Sequence, residues 1–163
     1  MIITLSPAKL LDFETPVNYS HSTKPLYEKE ADELYASIQN LTIDEVAKLM
    51  HINTQLAQNV HQYIHAFPLS TTPQRQAIFA YNGIAYKGLN VHTLADKDLE
   101  FAQKHLLHIS GLYGVLRPLD LIKPYRMEMQ IALVNNRGKN LYDFWSNTIS
   151  QYLAKAMQED DNT

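Results

Sequence analysis

The chain has no cysteine. That excludes disulfides, thiol-based peroxidase chemistry, CxxC redox motifs and thiolate-held zinc or iron–sulfur sites within it. No apolar run approaches the ~20 residues of a bilayer span. The opening Met1–Lys9 stretch has no basic n-region and only a short apolar run, unlike a signal peptide. These features fit a reducing cytoplasm and no membrane partner. Glycine is scarce, with 5 residues, and no P-loop, dinucleotide fingerprint or nucleophile elbow is present. There are no internal repeats. His61 and His65 stand four apart, a spacing used for metals, but Gln62 follows His61, so HExxH is absent. No third ligand is evident, so neither a metal nor a cofactor is expected.

What remains is ordinary for a globular domain: 163 residues, 45% hydrophobic, with a mean hydropathy of −0.28. One domain over residues 1–163 is expected. Ile2–Leu5 reads as a buried first strand stopped by Ser6-Pro7. Leu26–Gln39 is amphipathic with a helical period. Thr42 and Glu45 form a capping-box pattern before a short helix. Asn53 or Thr54 caps the next, with Leu56, Val60, Ile64 and Phe67 on one face. Ala77–Tyr81 looks like a second buried strand, ended by the turn dipeptide Asn82-Gly83. Asp96–His105 reads as a helix. Leu106–Ile109 is short enough to be a third strand or the helix end. Ile131–Val134 reads as a further strand and Asn135–Gly138 as a turn. Asp143–Met157 is a last helix, followed by an acidic, frayed tail from Gln158 to Thr163. The class is α+β: a small mixed sheet flanked by helices, thin for so many helices.

The net charge is −3, so the molecule as a whole is no polyanion binder. From Ile109 to Lys139, however, five cations (Arg117, Lys123, Arg126, Arg137, Lys139) face two acids, Asp120 and Glu128. A local positive surface on an acidic body suits a selective anion site. Within it, Ser110–Met129 holds two glycines, two prolines, two tyrosines and three cations. Glycine and proline shape backbone, and this segment then presents polar groups from it.

Three loops share one layout, an apolar run, a turn and a cation: Leu5-Ser6-Pro7-Ala8-Lys9, Tyr81-Asn82-Gly83 leading to Lys87, and Ile109-Ser110-Gly111 leading to Arg117. In open α/β sheets ligands bind beyond the carboxyl ends of strands. If the three strands are parallel neighbours, Ser6, Lys9, Lys87, Ser110 and Arg117 converge on one crevice suited to phosphate or a nucleotide. Tyr125 can stack on a base, and Arg126 can grip phosphate with a bidentate fork; in the plainer alternative Arg126 and Glu128 are an ion pair and Tyr125 is core. Ser110-Gly111-Leu112-Tyr113-Gly114 can also be read as the turn of a helix-hairpin-helix, although the glycines are spaced G-x-x-G and Pro118 curtails a second helix.

Together, Leu5–Lys9 with Asp12, Asn82-Gly83 with Tyr86–Leu89, Phe101–Gln103 with His105-Leu106, Ser110–Glu128, and Gly138–Trp145 resemble the YaaA-type peroxide stress proteins of bacteria. The resemblance runs from the first residue to about Tyr152. It implies a cytoplasmic protein of mixed α/β fold that protects against hydrogen peroxide by lowering unincorporated iron. It also implies DNA binding through a helix-hairpin-helix-like element and a positive cleft, with Lys9, Lys87, Arg117, Lys123 and Arg126 as cleft candidates. Family members continue beyond this chain's end with further strands and a basic region, so this chain corresponds to their N-terminal two-thirds. Some carry an acid where this chain has Ile84, and any role of that acid does not transfer.

Three functions follow as expectations. The first is a non-enzymatic binder of double-stranded DNA or a nucleotide-like anion through Ser6, Lys9, Lys87, Ser110, Gly111, Tyr113, Gly114, Arg117, Lys123, Tyr125 and Arg126. The second is an enzyme acting on a nucleotide or nucleobase at a strand-end crevice, although no nucleophile–base pair is identifiable. Direct iron chelation ranks last, because the acids are scattered over helix faces.

Overall fold

The structure is a computed structural model that describes residues 1–161. Its α+β architecture rests on a mixed sheet of three strands, in the order Ile3–Leu5, Leu106–Ser110, Gly114–Leu116. β1 (Ile3–Leu5) pairs in parallel with β3 (Leu106–Ser110), in a register from Ile3↔Leu106 to Leu5↔His108. β3 returns antiparallel through β4 (Gly114–Leu116), with Ser110 opposite Gly114. β3 is central and every residue in it but Ile109 is buried. That is why Leu106–Ile109 is nearly continuous in apolar residues rather than alternating. β1 is paired on one side only, and Ile3 is 42% exposed; the first strand is an edge, not a buried element.

The glycine-rich turn Gly111–Tyr113 therefore joins two strands. It is a β-hairpin, not a helix-hairpin-helix. The hairpin wins because β3 has a parallel neighbour to extend against, and because Gly114 takes φ +69, a conformation that returns the chain and favours glycine. Trp145 seals this turn: its indole Nε1 donates to the Gly111 carbonyl at 2.8 Å.

Helices cover the sheet. α1 (Glu28–Ile38) buries Ala31, Leu34 and Ile38. α2 (Ile43–Met50) opens with the capping box, Thr42 N–H donating to Glu45 Oε2 at 2.8 Å and Glu45 N–H to Thr42 Oγ1 at 3.3 Å. α3 (Thr54–Ala66) is capped by Asn53, whose side chain accepts from Leu56 N–H at 2.9 Å. The apolar faces of α1 to α3 join Leu116, Phe144 and Trp145 in the larger core. A smaller core gathers Ile78, Phe79, Val91, Leu99 and Leu106.

Ala77–Tyr81 is not a strand. β2 (Arg75–Gln76) pairs antiparallel with β5 (Leu121–Ile122), and Ala77–Ala80 then forms a single helical turn, α4. The Ala77 and Ile78 N–H groups, which open that turn, donate to Asp120 and Pro118 carbonyls at 2.9 and 3.0 Å. Backbone acceptors on the β4–β5 connection thus satisfy the turn's orphan donors. Asn82-Gly83 leads directly into α5 (Ile84–Leu89). A 3-10 turn (Val91–Thr93) and α6 (Asp96–His105) follow. Ile131–Val134 forms no strand, and α7 (Leu141–Asp161) carries the helix through most of the acidic tail. Asn162 and Thr163 lie outside the described residues. No helix among the described residues is long and apolar enough to cross a membrane.

His108, on β3, is fully buried. Tyr86 Oη donates to the Ser6 carbonyl at 3.0 Å and so receives the His108 Nδ1 proton, at 2.9 Å. Nε2 is then the unprotonated nitrogen, and it has no hydrogen-bond partner among the described residues. Burial depresses the imidazole pKa to about 3 from its ordinary 6.5. The folded state holds this ring neutral, while the unfolded chain protonates it below about pH 6.5. Stability is thus fully present above that pH and is lost as pH falls toward the folded pKa. Carboxylates with lowered pKa, Asp12 at about 2 and Glu33 and Glu45 below their ordinary value, contribute their loss only below about pH 5. Thermal melts from pH 7 to about pH 5 should therefore show a falling midpoint that flattens in His108→Asn. An equal slope in both proteins would refute this assignment.

Candidate functional site

Beyond the carboxyl ends of the parallel strands β1 and β3 lies an open cleft of about 350 Å³. Ser6, Pro7, Ala8 and Lys9 follow β1, and Ile109 and Gly111 come from the end of β3. Residues 125–130 form the facing wall, and Tyr142 of α7 completes the mouth. Strand ends are where open α/β sheets leave space for ligands, because the loops diverge there. Proline at position 7 ends β1, since it has no N–H for the ladder. Gly111 permits the opposite wall: a Cβ there would lie 2.4 Å from the Met127 carbonyl oxygen.

Two cations and one acid govern the electrostatics. Lys9 Nζ is 3.1 Å from Glu128 Oε1, and Arg126 Nη2 is 3.1 Å from the same oxygen. Gln130 Nε2 donates to the other oxygen, Oε2, at 3.1 Å. One carboxylate therefore holds two cations at the cleft, which keeps a formal charge of +1. The Arg126 side chain is mostly buried, at 14% exposure, whereas Lys9 is 63% exposed. A carboxylate that fixes a guanidinium in this way engages one of its five N–H donors and leaves the others for an anion.

Behind the cleft runs a buried hydroxyl chain. Tyr81 and Tyr125 Oη are 2.6 Å apart, Tyr125 Oη and Ser110 Oγ are 2.7 Å apart, and Ser110 Oγ accepts from Tyr113 N–H at 3.1 Å. Burial pushes the Tyr125 phenol up to about 12, and burial raises Tyr81 well above the ordinary phenol range. These groups stay protonated and act as fixed dipoles. Ser110 and Tyr113 thus belong to the support of the cleft rather than to its lining.

The five residues expected to converge do not all do so. Ser6 and Lys9 line the cleft together with Gly111, Tyr125 and Arg126. Lys87, on α5, lines a separate depression of about 260 Å³ with Asp12, Asn82, Asn90 and His92. Tyr81 also lines that depression, so the Tyr81–Tyr125 hydrogen bond forms part of the partition between the two spaces. Arg117 turns inward to Asp120, with Nη2 to Oδ1 at 2.8 Å, and also donates to the Lys24 carbonyl at 3.0 Å. Lys123 Nζ donates to the Phe67 carbonyl at 2.6 Å and sits 5.0 Å from the Phe67 ring centroid. Gly114 is packed under Trp145. The geometric reason is that α4 stands where a second strand was expected, so the Asn82-Gly83 loop has no strand end to share with the others.

Sequence reasoning missed Tyr142, Gln130 and the two methionines of the wall. It also missed the clasp of Glu128 on Lys9, since nothing in spacing links residue 9 to residue 128. Among the described residues no cluster of three or more His, Cys, Asp or Glu side chains could hold a metal ion.

A family model described as peroxide stress protein YaaA matches residues 1–163. A UPF0246 protein of Bordetella petrii is 46% identical over 156 residues, covering 94% of this chain and 60% of the relative. A UPF0246 protein of Burkholderia multivorans is 43% identical over 160 residues, covering 97% of this chain and 62% of the relative. One from Paraburkholderia phytofirmans is 46% identical over 155 residues, covering 94% and 60%. The chain thus spans about three-fifths of the length of these relatives. The match over its whole length, and identities well above 30% across nearly all of it, place this chain in the YaaA peroxide stress protein family.

Proposed function

We propose that this chain forms the anion-binding part of a cytoplasmic peroxide stress protein that limits iron-driven damage and binds duplex DNA through the Lys9–Arg126 cleft. One observation carries the reading: two cations from distant parts of the chain meet at a strand-end cleft with a single carboxylate between them. Such an arrangement keeps positive charge in place and leaves donors free, which is what phosphate requires. Family membership supports the stress context. A second reading, an enzyme acting on a nucleotide or nucleobase, is favoured by the cleft's volume, which lies within the range of small-molecule sites. Turnover of labelled nucleotides would establish it.

Electrophoretic shifts at two salt concentrations test the first reading. Duplex binding should weaken with salt, and Lys9→Ala with Arg126→Ala should reduce the log–log salt slope by roughly 0.9 for each phosphate that is no longer neutralised. An unchanged slope in the double variant would remove the cleft from DNA binding.

A further inference from the structure

Resting on that reading of the cleft, we infer that it is a pocket for one nucleotide: a nucleoside monophosphate unit, free in solution or unpaired in a strand, with an amino-bearing base. A volume of about 350 Å³ is at the small end of ligand sites, which run from roughly 300 Å³ upward. The paired bases of a duplex do not enter such a space, although its outward phosphates can reach Lys9 and Arg126, whereas a single nucleotide enters whole.

The lining divides by chemistry. Lys9 and Arg126 have no hydrogen-bond or ion-pair partner other than Glu128 among the described residues, so their remaining N–H groups serve the phosphate. Tyr142 at the mouth is 59% exposed and makes no ring contact with another aromatic among the described residues. An exposed, unpartnered phenol ring beside two cations is a platform for a base, and Met127 and Met129 supply apolar wall. Glu128 Oε1 has both lone pairs taken by Lys9 and Arg126, while among the described residues Oε2 accepts only from Gln130. One acceptor position stays open on Oε2. It suits an exocyclic amino group, as on cytosine, adenine and guanine, and disfavours uracil and thymine, whose one edge donor, N3–H, is flanked by two acceptor carbonyls that repel a carboxylate.

Calorimetric titration of the 163-residue chain with CMP, AMP, GMP, UMP and inorganic phosphate tests the pocket. The amino-bearing monophosphates should bind, with UMP and inorganic phosphate weaker. Tyr142→Ala, at a surface position, should weaken nucleotide binding about tenfold and leave inorganic phosphate unchanged. Glu128→Gln should bring CMP and UMP toward equal affinity, a change that a merely structural role would not produce. Duplexes with and without one bulged cytidine separate the sources: preference for the bulge assigns the pocket to a strand nucleotide, and mononucleotide binding without that preference assigns it to free nucleotides. No mononucleotide binding at millimolar concentration, or phosphate bound as tightly as CMP, overturns the inference. A salt-dependent duplex shift in that case leaves the DNA-binding reading standing; nucleotide binding without any duplex shift does the reverse.

Discussion

Asp120→Ala should lower the unfolding free energy by about 3–5 kcal/mol, the cost of breaking a buried ion pair from one side. Asp120 is fully buried. Its carboxylate accepts from Thr23 Oγ1 at 2.6 Å, from the Arg117 backbone N–H at 2.8 Å, and from Arg117 Nη2 at 2.8 Å. Gln103 extends the knot, with Nε2 donating to Thr23 Oγ1 at 3.1 Å and Oε1 accepting from Leu119 N–H at 2.8 Å. Arg117 Nε adds a fourth donor at 3.2 Å, so removal of the carboxylate takes an acceptor from four donors at once, and stranded buried donors cost more than the bonds they made. In a chain of this size the midpoint of thermal unfolding should fall by roughly 10 °C, at about 2–4 °C per kcal/mol. Arg117→Ala should also destabilise, because it leaves Asp120 a buried charge with fewer partners. Denaturant titration of both variants checks this. If Arg117→Ala instead keeps full stability and loses DNA binding, Arg117 is a ligand contact and its place in the knot is incidental.

Gly114→Ala should be nearly as costly, by about 2–5 kcal/mol from positive-φ strain and overpacking together. The residue has φ +69, and a Cβ would lie 2.6 Å from Trp145 Cζ3 and 2.8 Å from Cε3. Trp145 is 1% exposed and tied by its indole N–H to Gly111, so it has no room to retreat. Gly88 is the control: nothing lies within 4 Å of its would-be Cβ and it sits in α5, where alanine is the better helix former. Gly88→Ala should leave the melting temperature unchanged or raised. Comparable losses in both variants would show that the hairpin's packing is not the cause.

Much of the helical structure was legible because its determinants are local. The capping box at Thr42 and Glu45 is read within four residues. The start of α6 at Asp96 follows from its polar first turn, whereas its end stayed open, because Leu106–Ile109 is short enough to read as strand or as helix end. The 3.6-residue period puts Leu26, Leu34, Ile38 and Leu41 on one face and Leu56, Val60, Ile64 and Phe67 on another; Leu34, Ile38, Val60, Ile64 and Phe67 are buried, whereas Leu41 and Leu56 are half-buried and Leu26, ahead of α1, is exposed. The parallel β1–β3 pair was reachable only as a hypothesis, since pairing joins residues a hundred positions apart. Ala77–Ala80 misled because four apolar residues satisfy either period, and the deciding hydrogen bonds come from Pro118 and Asp120. Half the cleft was legible for a similar reason: Lys9 and Arg126 stand next to chain features that end strands, whereas the Tyr142 ring reaches the mouth only through the docking of α7.

By itself, the sequence determined that no thiol chemistry is available, that helices dominate a thin sheet, and that cations concentrate between Arg117 and Lys139. It also carried the family resemblance. Which cations are offered to a ligand was decided by tertiary structure alone. A charged side chain is engaged or left free by what lies within about 4 Å of it. Those neighbours are set by long-range packing: Thr23, 97 residues from Asp120, helps hold the carboxylate that claims Arg117. Glu128 leaves Lys9 and Arg126 poised over the cleft, and Phe67 removes Lys123 from it. Burial and pairing, not residue type, separate the two outcomes.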